Sequence, residues 1–277
     1  MKTRIIAAAV LLPILAIALF WLPLIVTAII FALLSAIAAY ELLWGTGLCR
    51  HPRLVIYSMV MAFIVPVFYF CSIQYEMVNT NAYIFLGVMA FFALLFGEMM
   101  ASHVKLRFEY IAYCFVAGLL IPFLFSSIVR IHAGYAGRYY VVIPFVLAFA
   151  SDTGAYFTGK FFGRNKLAPV ISPNKTIEGV IGGIGGAVVC MLLYCLLMKL
   201  AFNFNEIHYG YALVYGVAGS LTGVFGDLCF SVIKRQTGIK DYGKLIPGHG
   251  GVLDRFDSMI LVAPLTEALL ILIRVVN

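Results

Sequence analysis

Apolar runs long enough to cross a bilayer recur along the whole chain, and they limit its fold more than any other feature of the sequence. A helix needs about 20 predominantly apolar residues to span the hydrocarbon core. Only helices and closed barrels satisfy every backbone hydrogen bond in that environment. We therefore predict an all-α fold, a polytopic bundle of transmembrane helices.

The hydropathy pattern predicts nine spans, at residues 4–20, 22–44, 54–73, 81–100, 109–130, 139–160, 176–201, 209–233 and 257–275. Only the Trp21-Leu22-Pro23 segment separates the first two spans, and a single kinked segment there would give eight spans. The N-terminus imitates a signal peptide. Because a second apolar segment follows with almost no polar gap, we predict a first helix that is retained.

The composition agrees with a membrane protein, since 64% of the residues are hydrophobic and 11% are charged. A soluble domain is usually about 25% charged. The net charge of +7 would suggest nucleic acid in a soluble protein. In a membrane protein it is more typical of loops held at an anionic cytoplasmic surface. We predict contact with membrane lipids and no nucleic-acid partner.

Lysine and arginine are divided unequally between the two sides that nine spans create. One side holds 15 of these residues and the other side holds 4. Because loops rich in lysine and arginine stay in the cytosol, the first side is predicted to be cytosolic. The two long polar loops, 160–175 and 234–256, both fall on it.

The aspartates are confined to one part of the chain, and the first 151 residues contain none. The five are Asp152, Asp227, Asp241, Asp254 and Asp257. This distribution predicts a division by role. Residues 1–138 would form a scaffold of transmembrane helices, and residues 139–277 a catalytic half that carries both long cytosolic loops.

Asp227 lies inside the eighth predicted span. A charged side chain near the bilayer centre costs about 2.5–3.5 kcal/mol on insertion scales, and it usually faces a cavity and has a partner. Ser231 and Lys234 follow at i+4 and i+7 on the same helical face. The pattern indicates either a functional site or an internal Asp–Lys pair that only holds helices together.

The loop after this span is dense in charged residues and glycine. Asp254 and Asp257 would share a face of the last helix, and with Asp227 they would converge on a hard divalent cation such as Mg²⁺. Gly250 and Gly251 would let backbone N–H groups approach an anion. The cations suited to phosphates are Lys234, Arg235, Lys240, Lys244 and Arg255. The alternative is a solvated basic loop that ends in a helix cap.

Two earlier segments carry further polar residues. Ser172, Lys175 and Thr176 precede the seventh span, where they either cap a helix or present its N-terminus to a phosphate. Asp152 shares a helical face with Lys160, which indicates either a second carboxylate at the cytosolic mouth or a structural contact. The G-x-x-x-G pairs of the seventh span indicate helix packing.

Residues 231–257 closely resemble the C-terminal signature of phosphatidate cytidylyltransferases over 27 residues without a gap. The matching positions are Ser231-x-x-Lys234-Arg235, Lys240-Asp241 and Pro247-x-His249-Gly250-Gly251-x-x-Asp254-Arg255-x-Asp257. Segments 151–156 and 172–179 are also similar to that family. The first 140 residues add little beyond their hydrophobicity.

This resemblance implies that CTP and phosphatidate give CDP-diacylglycerol and pyrophosphate, with Mg²⁺ and an optional monovalent cation. It also implies a homodimer in the bacterial cytoplasmic (inner) membrane, with an active site that faces the cytosol. The expected metal ligands are Asp227, Asp254 and, in support, Asp257. The expected catalytic residues are Asp227, Asp254, Lys234 and Arg255. The expected substrate-binding residues are Asp152, Ser172, Lys175, Thr176, Ser231, Arg235, Lys244, His249, Gly250 and Gly251.

Two other functions stay open at this point. A CTP-dependent lipid kinase would attack the γ-phosphorus and release CDP. An ion- or proton-coupled transporter would use Asp152 and Asp227 as a relay. Against the transporter, the sequence contains no visible inverted repeat, and its charged residues concentrate at one face.

Overall fold

The computed structural model describes residues 19–102, 106–202, 204, 206–243, 245 and 250–275. Seven of its helices are long and apolar enough to cross a membrane. They are α1 (Leu24–Gly45), α2 (Pro52–Gln74), α3 (Thr80–Ala101), α4 (Phe108–Ala133), α5 (Gly137–Phe162), α6 (Ile177–Phe202) and α7 (Tyr209–Gln236). The predicted all-α class is confirmed, and the chain is a membrane protein.

Two shorter helices follow, α8 (Leu253–Phe256) and α9 (Met259–Leu272). A small antiparallel sheet, which the sequence did not predict, pairs β1 (Lys166–Ala168) with β2 (Ser172–Thr176) just before α6. The hairpin forms from the segment predicted as the long polar loop 160–175. That segment lacks the alternation of apolar and polar residues that predicts a strand.

The number of spans differs from the prediction at the two ends of the chain. The first predicted span, residues 4–20, lies almost entirely outside the described residues. The last, predicted at residues 257–275, is the 14-residue helix α9, which is shorter than the roughly 20 residues of a full span. Nine spans are therefore not confirmed.

The described residues divide into two compact units. Unit 1 comprises the described residues up to Gly134 with those of Thr237–Arg255, and unit 2 comprises those of Tyr135–Gln236 with those from Phe256 onward. The first boundary lies near the predicted one at residue 138. The loop after α7, however, groups with the N-terminal helices, whereas the sequence assigned it to the catalytic half. The division by role itself stays a prediction.

Unit 1 is held together by α1, α2 and α4. Phe31 of α1 packs edge-on against Phe125 of α4, with the ring centroids 5.9 Å apart. Thr27 Oγ1 and His132 Nδ1 are 3.0 Å apart in a buried hydrogen bond between the same two helices. A π-helical turn, Glu41–Gly45, ends α1, and such turns are frequent at functional sites.

Unit 2 is built on a close approach of α5 to α6. A Cβ atom at Gly154 would lie within 2.5 Å of the Gly182 carbonyl oxygen, so only glycine fits there. The predicted packing role of the glycine pairs in α6 is confirmed by this contact. Ser151 Oγ and Ser220 Oγ are 2.7 Å apart and join α5 to α7. The three helices thus pack closely around the positions that carry the polar residues of unit 2.

Candidate active site

Asp227 of α7 has two side-chain partners within unit 2. Lys175 of β2 lies 2.6 Å away, measured from Nζ to Oδ2. Ser231 Oγ donates a hydrogen bond of 3.1 Å to Oδ1. The contact with Ser231 follows the predicted i, i+4 spacing. The ion pair joins α7 to β2. Helical periodicity predicts contacts within one helix only, so it could not predict this pair.

The Asp227–Lys175 pair remains accessible. The two side chains are 30% and 23% exposed, respectively. Surface ion pairs contribute about 0–1 kcal/mol to stability. Stabilisation of the fold by a pair this exposed therefore does little to explain why two charged residues lie here. Both side chains line an open cavity. Their charges are therefore available to a ligand.

The cavity has a volume of about 480 Å³ and is bounded by α5, β2, α6 and α7. Small-molecule sites commonly occupy about 300–1,000 Å³. Five residues that the sequence singled out line it together, namely Asp152, Ser172, Lys175, Thr176 and Asp227. Lys160 adds a second lysine to the lining. The two segments before α6 and the middle of α7 therefore meet at one polar cavity.

The β1–β2 hairpin is fixed in place at both ends. Thr176 Oγ1 accepts a hydrogen bond of 3.1 Å from the Gly179 backbone N–H, which caps α6. Arg235 Nε donates a hydrogen bond of 3.0 Å to the Ile171 carbonyl, which links the end of α7 to the hairpin turn. Thr176 therefore serves as the cap that the sequence suggested, and it also faces the cavity. Its contact with a phosphate stays a prediction.

Asp257 lies in the turn between α8 and α9. Burial raises the pKa of its carboxyl group above the ordinary value, and the nearby Asp227 carboxylate raises it further. Lys234 acts in the opposite direction, and Asp152 adds to the increase. Asp227 and Asp152 thus both disfavour the charged form of Asp257. A cation among them would relieve that repulsion.

The donor set fits a divalent cation that is shared with a substrate. In proteins Mg²⁺ is commonly held by one or two carboxylates together with substrate phosphate oxygens. Within the described part of the chain, no group of three histidine, cysteine, aspartate or glutamate side chains is arranged to hold one ion by itself. Asp227 and Asp257, which interact electrostatically, are the carboxylates of unit 2 that could provide the first arrangement.

Asp254 belongs to unit 1 and orders the loop that precedes it. Its side chain is buried, and Oδ2 accepts hydrogen bonds from the backbone N–H groups of Tyr242, at 2.8 Å, and Gly251, at 3.0 Å. Gly250 has a φ of +88° and passes so close to this carboxylate that a Cβ atom would lie 2.8 Å from Oδ2. Glycine is therefore required at this turn. The role of Asp254 as a metal ligand stays a prediction.

Glu41 also contacts the loop that precedes Asp254, and the sequence analysis did not single it out. It lies in the π-helical turn of α1 and is 3% exposed. Its Oε1 accepts a hydrogen bond of 3.0 Å from the Val252 N–H, and its Oε2 accepts one of 2.9 Å from the Leu253 N–H. A carboxylate inside a predicted span is a functional candidate by default. That signal would have singled out Glu41 but not its distant partners.

The backbone N–H groups of residues 251–253 donate to carboxylates of the chain itself. The sequence suggested that the glycine pair would offer these groups to a substrate phosphate. In the structure, Asp254 and Glu41 accept them, and a Cβ atom at Gly251 would overlap the Glu41 carboxylate. The second glycine is thus needed for this close approach. The substrate contacts of Gly250 and Gly251 stay predictions.

The remaining predicted residues are distributed as follows. Lys244 and His249 lie outside the described residues. Arg255 is exposed on α8, and Lys234 is half-buried on α7. Their contacts with phosphate groups stay predictions.

Comparisons with known proteins identify the family of the chain. A family model described as the cytidylyltransferase family matches residues 2–273. A phosphatidate cytidylyltransferase of Staphylococcus saprophyticus is 45% identical over 135 residues, which is 49% of this chain and 50% of that relative. A protein of the same name from Staphylococcus aureus is 44% identical over 174 residues, 60% and 62% of the two chains. The matched part of the chain therefore spans between half and two thirds of the length of these curated relatives.

Proposed function

Because the chain belongs to the cytidylyltransferase family, we propose that it transfers a cytidylyl group from CTP to phosphatidate and so makes CDP-diacylglycerol and pyrophosphate. The observation that carries the proposal is the cavity of unit 2, in which Asp152, Lys175 and Asp227 converge. The names of the Staphylococcus relatives support this pair of substrates.

The central problem of this reaction is electrostatic. A phosphate oxygen of phosphatidate attacks the α-phosphorus of CTP, a new P–O bond forms, and the bond from that phosphorus to the oxygen bridging it to the β-phosphorus breaks. Pyrophosphate leaves with that electron pair. The nucleophile is already an anion, so a strong protein base is unnecessary. What the site must supply is positive charge and alignment for two groups that repel each other.

Lysine side chains of the cavity meet that need. Lys175 Nζ is held at the cavity wall by Asp227 and lies 3.4 Å from the Val224 carbonyl oxygen. Lys160 lines the same cavity. The hydroxyl groups of Ser172 and Thr176 lie on the strand that carries Lys175. We assign these four residues to the phosphate groups of the two substrates.

Asp227 and Asp257 would hold Mg²⁺. The cation, when bound, supplies positive charge at the phosphate oxygens. Ser231 keeps the Asp227 carboxylate oriented through its hydrogen bond to Oδ1. Lys234 lies close enough to Asp257 to lower the pKa of its carboxyl group, and it therefore favours the charged form that a cation requires.

The site is proposed to open at the cytosolic edge of the inner membrane, because both long polar loops fall on the side rich in lysine and arginine. The end of α5 beside the cavity exposes large aromatic side chains, with Tyr156 60% and Phe161 69% exposed. Aromatic residues are enriched at membrane–water interfaces. Such a border would keep the lipid tails in hydrocarbon while CTP stays in water.

Product analysis tests this proposal. Purified protein is incubated with phosphatidate, Mg²⁺ and, separately, CTP, dCTP or ATP, and the lipid products are identified by mass. The proposal requires CDP-diacylglycerol with an equal amount of pyrophosphate. A phosphorylated lipid together with CDP would indicate a lipid kinase. Ion-driven uptake into liposomes without any new lipid would indicate a transporter.

A further inference from the structure

A second cavity, of about 460 Å³, lies in unit 1 among α2, α3 and α4. Apart from Gly87, every lining residue is apolar or aromatic. On α2 the lining runs from Met61 to Tyr69, and on α4 it runs from Phe115 to Phe123. We call this cavity the apolar groove. Its walls belong to helices that are long and apolar enough to span a membrane, so its natural occupant is hydrocarbon.

The length of the apolar groove matches one leaflet of a bilayer. Eight residue steps separate Met61 from Tyr69, and a helix rises about 1.5 Å per residue, so the groove extends about 12 Å along α2. Half of a hydrocarbon core is about 15 Å. The groove thus runs from mid-helix toward the turn at residues 75–79, where α2 ends and α3 begins.

Arg130 of α4 lies at that end of the apolar groove. Its guanidinium carbon is 4.5 Å from the ring centroid of Tyr69 and 4.9 Å from that of Phe123, and both rings line the groove. Nη2 donates a hydrogen bond of 2.9 Å to Ser127 Oγ, and Nη1 donates one of 3.4 Å to the Phe123 carbonyl. The side chain therefore reaches back along α4. Arginines near helix ends usually extend outward to the interface instead.

This combination is complementary to a phospholipid. We propose that the apolar groove binds one anionic phospholipid, with an acyl chain along α2 and α4 and its phosphate group at Arg130. A guanidinium has five donors in a planar fork that suits phosphate oxygens. Free phosphate would gain nothing from the apolar walls, and an uncharged lipid would gain nothing from the cation. The lining residues of the apolar groove all belong to unit 1, whereas those of the cavity assigned to catalysis belong to unit 2.

Two glycines of α3 provide a matched pair of variants. A Cβ atom at Gly87 would meet only Met61 Cε, at 3.9 Å, so the side chain of Gly87→Leu would enter the apolar groove and fill it. A Cβ atom at Gly97 would meet nothing within 4 Å, and Gly97 does not line the groove. Both variants add the same side chain to the same helix. Only Gly87→Leu blocks the proposed site.

Two arginines of unit 1 provide a second pair. Arg130→Gln removes the charge at the groove. Arg53→Gln removes a charge that is paired with Glu98 at 3.1 Å and does not line the groove. The two arginine variants test the phosphate contact, and the glycine variants test the acyl contact. If Arg130→Gln does not fold, the glycine pair decides.

The measurement is the apparent unfolding temperature of the delipidated, full-length protein in detergent during titration with phosphatidylglycerol. A ligand that binds only the native state stabilises it by RT ln(1 + [L]/Kd), so this temperature rises with lipid concentration once that concentration exceeds Kd. We expect the same logarithmic increase with lipid concentration in the wild type, Gly97→Leu and Arg53→Gln. The apparent Kd obtained from this dependence is expected to rise at least about tenfold in Gly87→Leu and Arg130→Gln, which corresponds to about 1.4 kcal/mol. Inorganic phosphate and diacylglycerol should give no increase.

Three results would overturn the proposal. The first is an equal response to phosphatidylglycerol in all five proteins. The second is an equal response to diacylglycerol, which would make the contact purely apolar. The third is an absence of any lipid response in the wild type together with a loss of dimer in Gly87→Leu. A second copy of the chain would then cover the groove.

Discussion

Glu41 accepts a hydrogen bond of 2.9 Å from the backbone N–H of Leu253, across 212 residues of sequence. Together with the bond to the Val252 N–H, it anchors the residues just before Asp254 to the end of α1. The loop that resembles the family signature therefore depends on a carboxylate from the second predicted span. This explains why unit 1 contains both segments.

The variant Glu41→Gln tests this anchor. The amide offers a single acceptor oxygen, and its NH₂ group would face a backbone N–H, so at least one of the two bonds is lost. A hydrogen bond to a charged group contributes about 1.5–3 kcal/mol. We expect the apparent free energy of unfolding to fall by about that amount. We also expect the rate of cytidylyl transfer to fall while insertion into the membrane is unchanged.

The control for Glu41→Gln is Glu98→Gln, in which the lost carboxylate pairs with the exposed Arg53. Limited proteolysis of residues 237–255 gives a further readout, because a released loop is cut faster. Equal stability and equal cleavage in both variants would show that the Glu41 bonds are unimportant.

The helices were predictable and the anchor was not, for a physical reason. A membrane span can be predicted from one continuous stretch of sequence, because it needs about 20 consecutive apolar residues. The contact of Asp227 with Ser231 is also local, since both lie on one turn of α7. The contacts of Glu41 with Val252 and of Asp227 with Lys175 depend on how separate segments pack. Residue types suggested that these charges have partners, but only the fold identifies them.

The β1–β2 hairpin is a second feature that the sequence did not predict. Its residues were singled out for their chemistry, as a cap or a phosphate contact. The hydropathy pattern predicts a loop there, because strands of polar residues lack the apolar–polar alternation of a half-buried strand. The hairpin is nevertheless what carries Lys175 to Asp227. The sequence thus singled out several residues that line the cavity but not the element that positions them.

The second prediction concerns the charges of the cavity. Asp227→Asn is expected to abolish transfer, and Lys175→Met is expected to lower it by about 10²–10³-fold, the usual cost of removing one group that stabilises developing charge. Both variants should insert and fold normally, because the pair is partly exposed. Rates with CTP and phosphatidate are measured on purified protein. Glu109→Gln, whose carboxylate pairs with the exposed Arg107, serves as the control. Near-normal turnover in Asp227→Asn would refute its role.

Chelation of divalent cations provides the third prediction. Because the carboxylates of unit 2 fit an ion shared with substrate phosphates, EDTA should stop the reaction and Mg²⁺ should restore it. The affinity for CTP, measured by calorimetry, should increase with Mg²⁺ concentration in the wild type and much less in Asp257→Asn. Full activity in excess EDTA would exclude a required divalent ion.

The fourth prediction concerns orientation. A cysteine at position 243 would overlap the Glu41 carboxylate, so the exposed Lys240 is the better position for a label. In a protein without its native cysteines, Lys240→Cys should react only from the cytosolic side. Tyr75→Cys, in the exposed turn after α2, should react only from the other side. Labelling with the opposite pattern would invert the topology.

The reaction itself is tested most directly by the position of the transferred phosphorus. Purified protein is supplied with phosphatidate and with CTP labelled by ³²P at either the α- or the γ-phosphorus. We predict that α-label appears in the lipid in a one-to-one ratio with released pyrophosphate, and that γ-label stays in the aqueous phase. Lipid labelled from the γ-position, or no labelled lipid from either nucleotide, would contradict cytidylyl transfer.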